Sequence, residues 1–263
     1  MRAFAAPVEL PLRAAFGGVA PAAPPTAAAT FAIATAVVAF GTVGAPSAIS
    51  TIIGPAFIAF AALALFAAMA VAAAGWDKMP GDLWLTHRLQ SIHSAWFARV
   101  LNETSDFAAA PLLTWMILLL AIVAGVIGGL RAGAMSALLP ITRLLTPALK
   151  ELIEQPRPSP LLVKVTNQPA DYSFPSGHAF NAVLVYGLFF YFASAYIPQR
   201  WLRIPVQAGC GWMIVVTSLQ RVYAGAHWPS NVLAGALLAG AIVCVAIVAH
   251  RALSGWRARV PST

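Results

Sequence analysis

The residues most able to do chemistry lie in three short polar segments of an otherwise apolar chain. In the first, Lys150 and Arg157 stand seven apart, close to two helical turns, so they can point the same way until Pro156 and Pro158 stop a helix. The second is Phe174-Pro175-Ser176-Gly177-His178, which opens an apolar run. Ser176 suits a helix N-cap, and Gly177 lets a ligand approach the backbone. The start of a helix offers unpaired N–H groups and partial positive charge, which suits a phosphate. His178 sits in that first turn. The third segment runs from Gln220 and Arg221 through His227 to Asn231. Asn231 follows His227 by one helical turn and can reach back toward its imidazole. Pro229 fits the first turn of the next helix. Lys150, Arg157 and Arg221, read without matching carboxylates, point to a doubly charged anion, in practice a phosphate. Two histidines beside a bound phosphoryl group suggest one nucleophile and one general acid.

The elements that must position these residues are membrane helices. Of the 263 residues 60% are hydrophobic and 9% charged, and no charged side chain lies between Arg13 and Asp77. An ordinary soluble domain carries roughly 25% charged residues. The composition excludes a disordered chain, a coiled coil and a conventional soluble enzyme. Residues 1–28 form an Ala/Pro-rich tail, 29–250 a single all-α membrane domain, and 251–263 a basic tail. Six core spans are expected near 50–74, 108–130, 132–149, 178–197, 204–220 and 231–249. The third is weakened by Pro140, Arg143 and Pro147. A seventh candidate, 30–46, is short. Leu85, Leu89, Ile92, Trp96 and Val100 recur at helical spacing, so an amphipathic interfacial helix is expected near 82–101. His87 and His93 fall on its polar face as ordinary solvated residues.

The net charge of +8 fits loop orientation better than nucleic-acid binding, since no basic run is present. Arg200 and Arg203, together with Arg251, Arg257 and Arg259, mark the cytoplasmic side, leaving the three polar segments on the opposite, extracytoplasmic face of a cell (inner) membrane. Cys210 and Cys244 lie in apolar stretches and read as packing residues.

Taken together, the segments resemble the type 2 phosphatidic acid phosphatase (PAP2) family, which also has haloperoxidase-like members. The family pattern is Lys, six residues and Arg-Pro; then Pro-Ser-Gly-His; then Ser-Arg, five residues, His, three residues and Asp. Lys150 to Pro158 and Pro175 to His178 match completely. The third part keeps Arg221 and His227 but has Gln220 for Ser and Asn231 for Asp. The resemblance implies a helical membrane bundle acting on a phospholipid or isoprenoid (pyro)phosphate, with no metal and no cofactor. By it, His227 attacks phosphorus to give a phosphohistidine and His178 protonates the leaving oxygen. Lys150, Arg157, Arg221 and the Ser176–Gly177 backbone hold the phosphate. The family's Asp orients the nucleophilic histidine. Asn231 can accept through its amide oxygen but carries no charge, so a lipid phosphatase, a lipid phosphotransferase and a weakened, non-enzymatic relative all remain open.

Overall fold

A computed structural model describes residues 50–105, 112–137, 139–166 and 169–257. The tail at 1–28, the candidate span at 30–46 and the last residues of the basic tail lie outside the described residues. Among those described, the fold is helical throughout.

Among the described residues, five stretches are long and apolar enough to cross a bilayer: Ile52–Gly75, Leu130–Ile153, Gly177–Tyr196, Arg200–Tyr223 and Pro229–Leu253. A sixth apolar helix, Leu112–Gly128, has 17 residues. This is the expected six-helix order. In chain order the helices are α1 (Ser50–Gly75), α2 (Asp82–Gln90), α3 (Ala95–Ser105), α4 (Leu112–Gly128), α5 (Leu130–Ala137), α6 (Leu139–Thr142), α7 (Leu145–Ile153), α8 (Gly177–Tyr196), α9 (Arg200–Tyr223) and α10 (Pro229–Arg257). The span expected to be weak is the one that is interrupted: the helix gives way to a turn at Arg143 and Leu144, whose N–H groups bond three residues back to the Pro140 and Ile141 carbonyls, before α7 begins.

The molecule is apolar on both sides of its helices. Ala59, Ala62, Phe66, Met69 and Ala73 of α1, three and four residues apart, face a core shared with Leu113, Ile117 and Leu120 of α4 and with α8 and α10. Phe57 and Phe60 on the other side of α1 are 69% and 72% exposed. Only a lipid solvent makes such a surface favourable. α8 and α10 are the most enclosed spans and form the centre of the bundle. Tyr196 at the end of α8 bonds through its hydroxyl to His250 Nε2 near the end of α10 (2.7 Å), so these two ends share one face. The start of α8, the end of α9 and the start of α10 therefore share the other.

The interfacial segment corrects the expectation of one helix over 82–101. It is two helices, because Ser91–Ser94 breaks the run. The Ile92 carbonyl turns to accept the Tyr223 hydroxyl at 3.2 Å. The Ser94 Oγ accepts from the Phe97 N–H and starts α3 afresh. Leu85, Ile92 and Trp96 point outward, while Asp82 and Thr86, one turn apart, are buried against the bundle.

Candidate active site

Lys150 and Arg157 converge, but not by helical periodicity. α7 ends at Ile153 and Glu154 takes the left-handed conformation as its C-cap. Arg157 lies beyond, in extended chain. Both side chains meet at Asp171 on the following loop. Lys150 Nζ contacts Asp171 Oδ2, and Arg157 Nη2 is 2.5 Å from Oδ1. The Arg157 Nε also donates to the Asp171 carbonyl at 2.8 Å. The reading of three cations without a matching carboxylate is thus corrected: Asp171 pairs with two of them and offsets one of their charges. Spacing could not reveal this, because Asp171 reaches them through a loop reversal. Burial pushes the Asp171 carboxyl up, but the hydrogen bonds and charges of Lys150 and Arg157 outweigh it and hold it below its usual range. Arg157 and Asp171 line an open cavity of about 410 Å³ with Pro156, Pro169, Ala170 and Tyr172.

His227 sits in the turn between α9 and α10, 3% exposed. The turn needs Gly225, whose φ is +67° and whose missing Cβ would fall 2.3 Å from the Lys164 carbonyl oxygen. Arg157 Nη1 donates to the Ala226 carbonyl at 2.6 Å and lies 3.3 Å from His227 Nε2. A guanidinium only donates, so Nε2 must present its lone pair there and the proton must sit on Nδ1. Nδ1 is 2.8 Å from the Ser173 carbonyl oxygen, which accepts that proton. Two independent contacts therefore favour one tautomer, with the proton on Nδ1 and the Nε2 lone pair turned toward Arg157. Burial, then the charges of Arg157, Lys150 and Arg221 and the neighbouring His178, push the imidazole far below its ordinary range, keeping it neutral.

The Asn231 side chain hydrogen-bonds to Ser173 and Ser230, where its spacing pointed toward His227. Its Nδ2 is 2.6 Å from the Ser173 Oγ, and its backbone carbonyl accepts the Ser176 N–H at 2.9 Å. Pro229 opens α10, as expected, and a helical residue two places on points its side chain at the loop carrying Ser173. Ser173 stands between Asn231 and His227, with its Oγ 3.3 Å from Nδ1. It is a site residue that the sequence motifs did not mark. Its N–H donates to the Gln155 carbonyl at 2.8 Å, which holds the loop in place.

His178 lies in the first turn of α8, with Nε2 3.3 Å from Arg221 Nη1. Ser176 occupies the N-cap position, but its hydroxyl makes no capping bond and, fully buried, has no protein partner. The expectation that Ser176 caps α8 is corrected in this respect: loop and helix are joined by the Ser176–Asn231 backbone bond instead. Gly235 allows the approach, since a Cβ there would lie 2.4 Å from the Ser176 carbonyl oxygen. Gln220, which stands where the family pattern has Ser, accepts from Arg221 Nε at 2.5 Å and donates to Asn102 of α3 at 3.0 Å. It orients the arginine. Gln90 of α2 similarly holds the site loops, donating to the Lys164 and Tyr223 carbonyls at 2.7 and 2.9 Å.

Lys150, Arg157, His178, Arg221 and His227 thus meet at one end of the bundle, within electrostatic reach of one another. The profile of the PAP2 superfamily matches residues 115–254, more than half of the chain. Phosphatidylglycerophosphatase B of Bacillus subtilis (strain 168) is 37% identical over 98 residues, 35% of this chain and 45% of that protein, so the match spans less than half of the relative's length. The crystal structure of a transmembrane PAP2-type phosphatidylglycerolphosphate phosphatase from Bacillus subtilis aligns with a TM-score of 0.60 at 22% identity, over 78% of this chain and 98% of that one, a likeness of fold. With motifs, bundle and profile in agreement, the chain is a multi-pass membrane protein that belongs to the PAP2 superfamily.

Proposed function

We propose that this protein is a membrane lipid phosphatase that removes a terminal phosphate, as monoester or pyrophosphate, from an amphiphile by way of a phosphohistidine. The observation that carries the reading is the His227 tautomer: Nδ1 bonded to the Ser173 carbonyl and Nε2 facing Arg157. In the resting site Asp171 occupies Lys150 and Arg157. An arriving phosphate, carrying more charge than a carboxylate, displaces it. Nε2 then attacks phosphorus, the bond from phosphorus to the lipid oxygen breaks, and His178 delivers a proton to that oxygen. Lys150, Arg157, Arg221 and the first amides of α8 stabilise the charge on the equatorial oxygens. In the second half His178 takes a proton from water, the water oxygen bonds to phosphorus, and the N–P bond breaks to release phosphate. Side-chain cations supply the positive charge that a metal supplies in other phosphoryl-transfer sites.

The lipid-facing helices and the open end of the bundle favour a substrate anchored by an acyl or prenyl tail. The activity named for the Bacillus relative makes phosphatidylglycerol phosphate the first substrate to try, before phosphatidic acid and isoprenoid pyrophosphates. Purified protein in detergent is expected to release inorganic phosphate from at least one of these, and the His227→Ala variant from none. No release from any of them, or release that survives His227→Ala, would remove this reading. Basic residues at the other end of the bundle, Arg200 and Arg203, support an extracytoplasmic site.

A further inference from the structure

Among the described residues, the proposed mechanism leaves one buried acid unused. Asp82, the first residue of α2, is 3% exposed, and no cation lies within ion-pair distance of it among the described residues. Its Oδ1 accepts the Ser230 N–H at 2.9 Å, and its Oδ2 accepts the Ser230 hydroxyl at 2.8 Å and the Met79 N–H at 2.7 Å. From there the contacts continue. Ser230 Oγ is 3.2 Å from Asn231 Oδ1, Asn231 Nδ2 is 2.6 Å from Ser173 Oγ, and Ser173 Oγ is 3.3 Å from His227 Nδ1. Ser173 and Asn231 are fully buried, so bulk solvent does not screen the path.

We propose that Asp82 is a positioning residue for His227. Acting through Ser230, Asn231 and Ser173, it supplies the negative charge that Asn231 lacks. This rests on the reading of His227 as the nucleophile. Once Nε2 is bonded to phosphorus and Nδ1 keeps its proton, the ring is cationic, and a buried carboxylate at the end of a hydrogen-bonded chain stabilises it. A helix cap alone does not call for a charge here. The Ser230 N–H in the first turn of α10 could be met by a neutral Asn or Ser, without the desolvation cost of an unpaired carboxylate. Burial raises the Asp82 carboxyl above its usual range, while the Ser230 and Met79 donors favour its ionised form. The Ser230 hydroxyl has one proton and faces two acceptors, so the carboxylate takes it. A half-turn of the Asn231 amide keeps the heavy-atom contacts and makes every donor point toward Asp82: Ser173 to Asn231, Asn231 to Ser230, Ser230 to Asp82.

The test moves the charge. Asp82→Asn keeps an acceptor for the Ser230 N–H and removes the carboxylate. It is expected to lower kcat on the lipid phosphate about 10- to 100-fold at unchanged KM. Adding Asn231→Asp to Asp82→Asn returns the carboxylate to the chain and is expected to restore kcat to within several-fold of native. A lost cap would not be rescued this way, so the double variant also decides the matter if Asp82→Asn lowers the thermal midpoint. Native kcat in Asp82→Asn, or no recovery in the double variant, overturns the proposal. His227→Ala assayed alongside separates the two readings. Turnover that is absent in the native protein, or that survives His227→Ala, removes the His227 reading and Asp82 with it. Turnover abolished by His227→Ala but untouched by Asp82→Asn removes Asp82 alone.

Discussion

At the scale of the residue, the site is governed by which neighbour each charge finds when no substrate is present. Asp171 holds the place of an anion between Lys150 and Arg157. On the proposed reading a phosphate competes with a tethered carboxylate, and charge decides the contest: a dianion gains more from two cations than a monoanion does. Asp171→Ala should remove the competitor, and inhibition by inorganic phosphate, measured as Ki, should tighten roughly tenfold. An unchanged Ki would mean that phosphate binds elsewhere. His227 gives a second expectation at this scale. Its imidazole is depressed by burial and by the cations around it, so the protonated form that cannot attack appears only well below the ordinary value of 6.5. On acidification kcat/KM should persist through pH 6.5 and fall only at lower pH. An acid limb at or above pH 6.5 in the pH profile would contradict the buried, cation-flanked environment.

At the scale of the element, the side chains proposed to be catalytic are aimed by helix ends and the loops pressed against them. α8 and α10 can lie close enough for the Ser176–Asn231 backbone bond because Gly235 carries no Cβ. Gly235→Ala puts a methyl group 2.4 Å from a carbonyl oxygen, and backbone there cannot rotate away. A destabilisation of about 1–3 kcal/mol is expected, read as a lower thermal midpoint in detergent, with kcat reduced as the first turn of α8 moves. α2 and α3 are the less obvious contributors. Trp84, Leu85 and Trp96 face outward and Leu101 packs inward, while Gln90, Asn102 and Asp82 bond to the site loops, Gln220 and α10. The interfacial segment therefore acts as a polar buttress on the catalytic end of the bundle.

At the scale of the whole molecule, solvent is the deciding variable. The outward residues of the spans are as apolar as the inward ones, so helix packing relies on close fit, with small residues such as Ala59, Ala62 and Ala73 in the seam. A charge placed on the lipid-facing side, as in Phe60→Lys, should cost about 2.5–3.5 kcal/mol and reduce membrane insertion, as judged by the yield of folded protein. Topology has its own check. Leu161, 95% exposed beside the site, should be labelled by an impermeant maleimide from outside intact cells when replaced by Cys, whereas Trp201→Cys at the opposite end should react only after lysis. The native Cys210 and Cys244 are buried and should stay silent.

The sequence alone determined the lipid solvent, the six-helix order, the break in the span around Pro140 and Arg143, and the segments that carry Lys150, Arg157, His178, Arg221 and His227. Hydropathy and motif spacing are local properties, and neighbouring residues along the chain express them. Tertiary structure decided the rest. Asp171 pairs with two of the three cations, Ser173 stands at Nδ1 of His227, Asn231 bonds to Ser173, Gln220 bonds to Arg221, and Asp82 is buried against α10. Each of these is a contact between residues remote in sequence, formed by loop reversals and helix crossings. A hydrogen bond depends on where two atoms come to rest, and only the folded chain brings them together.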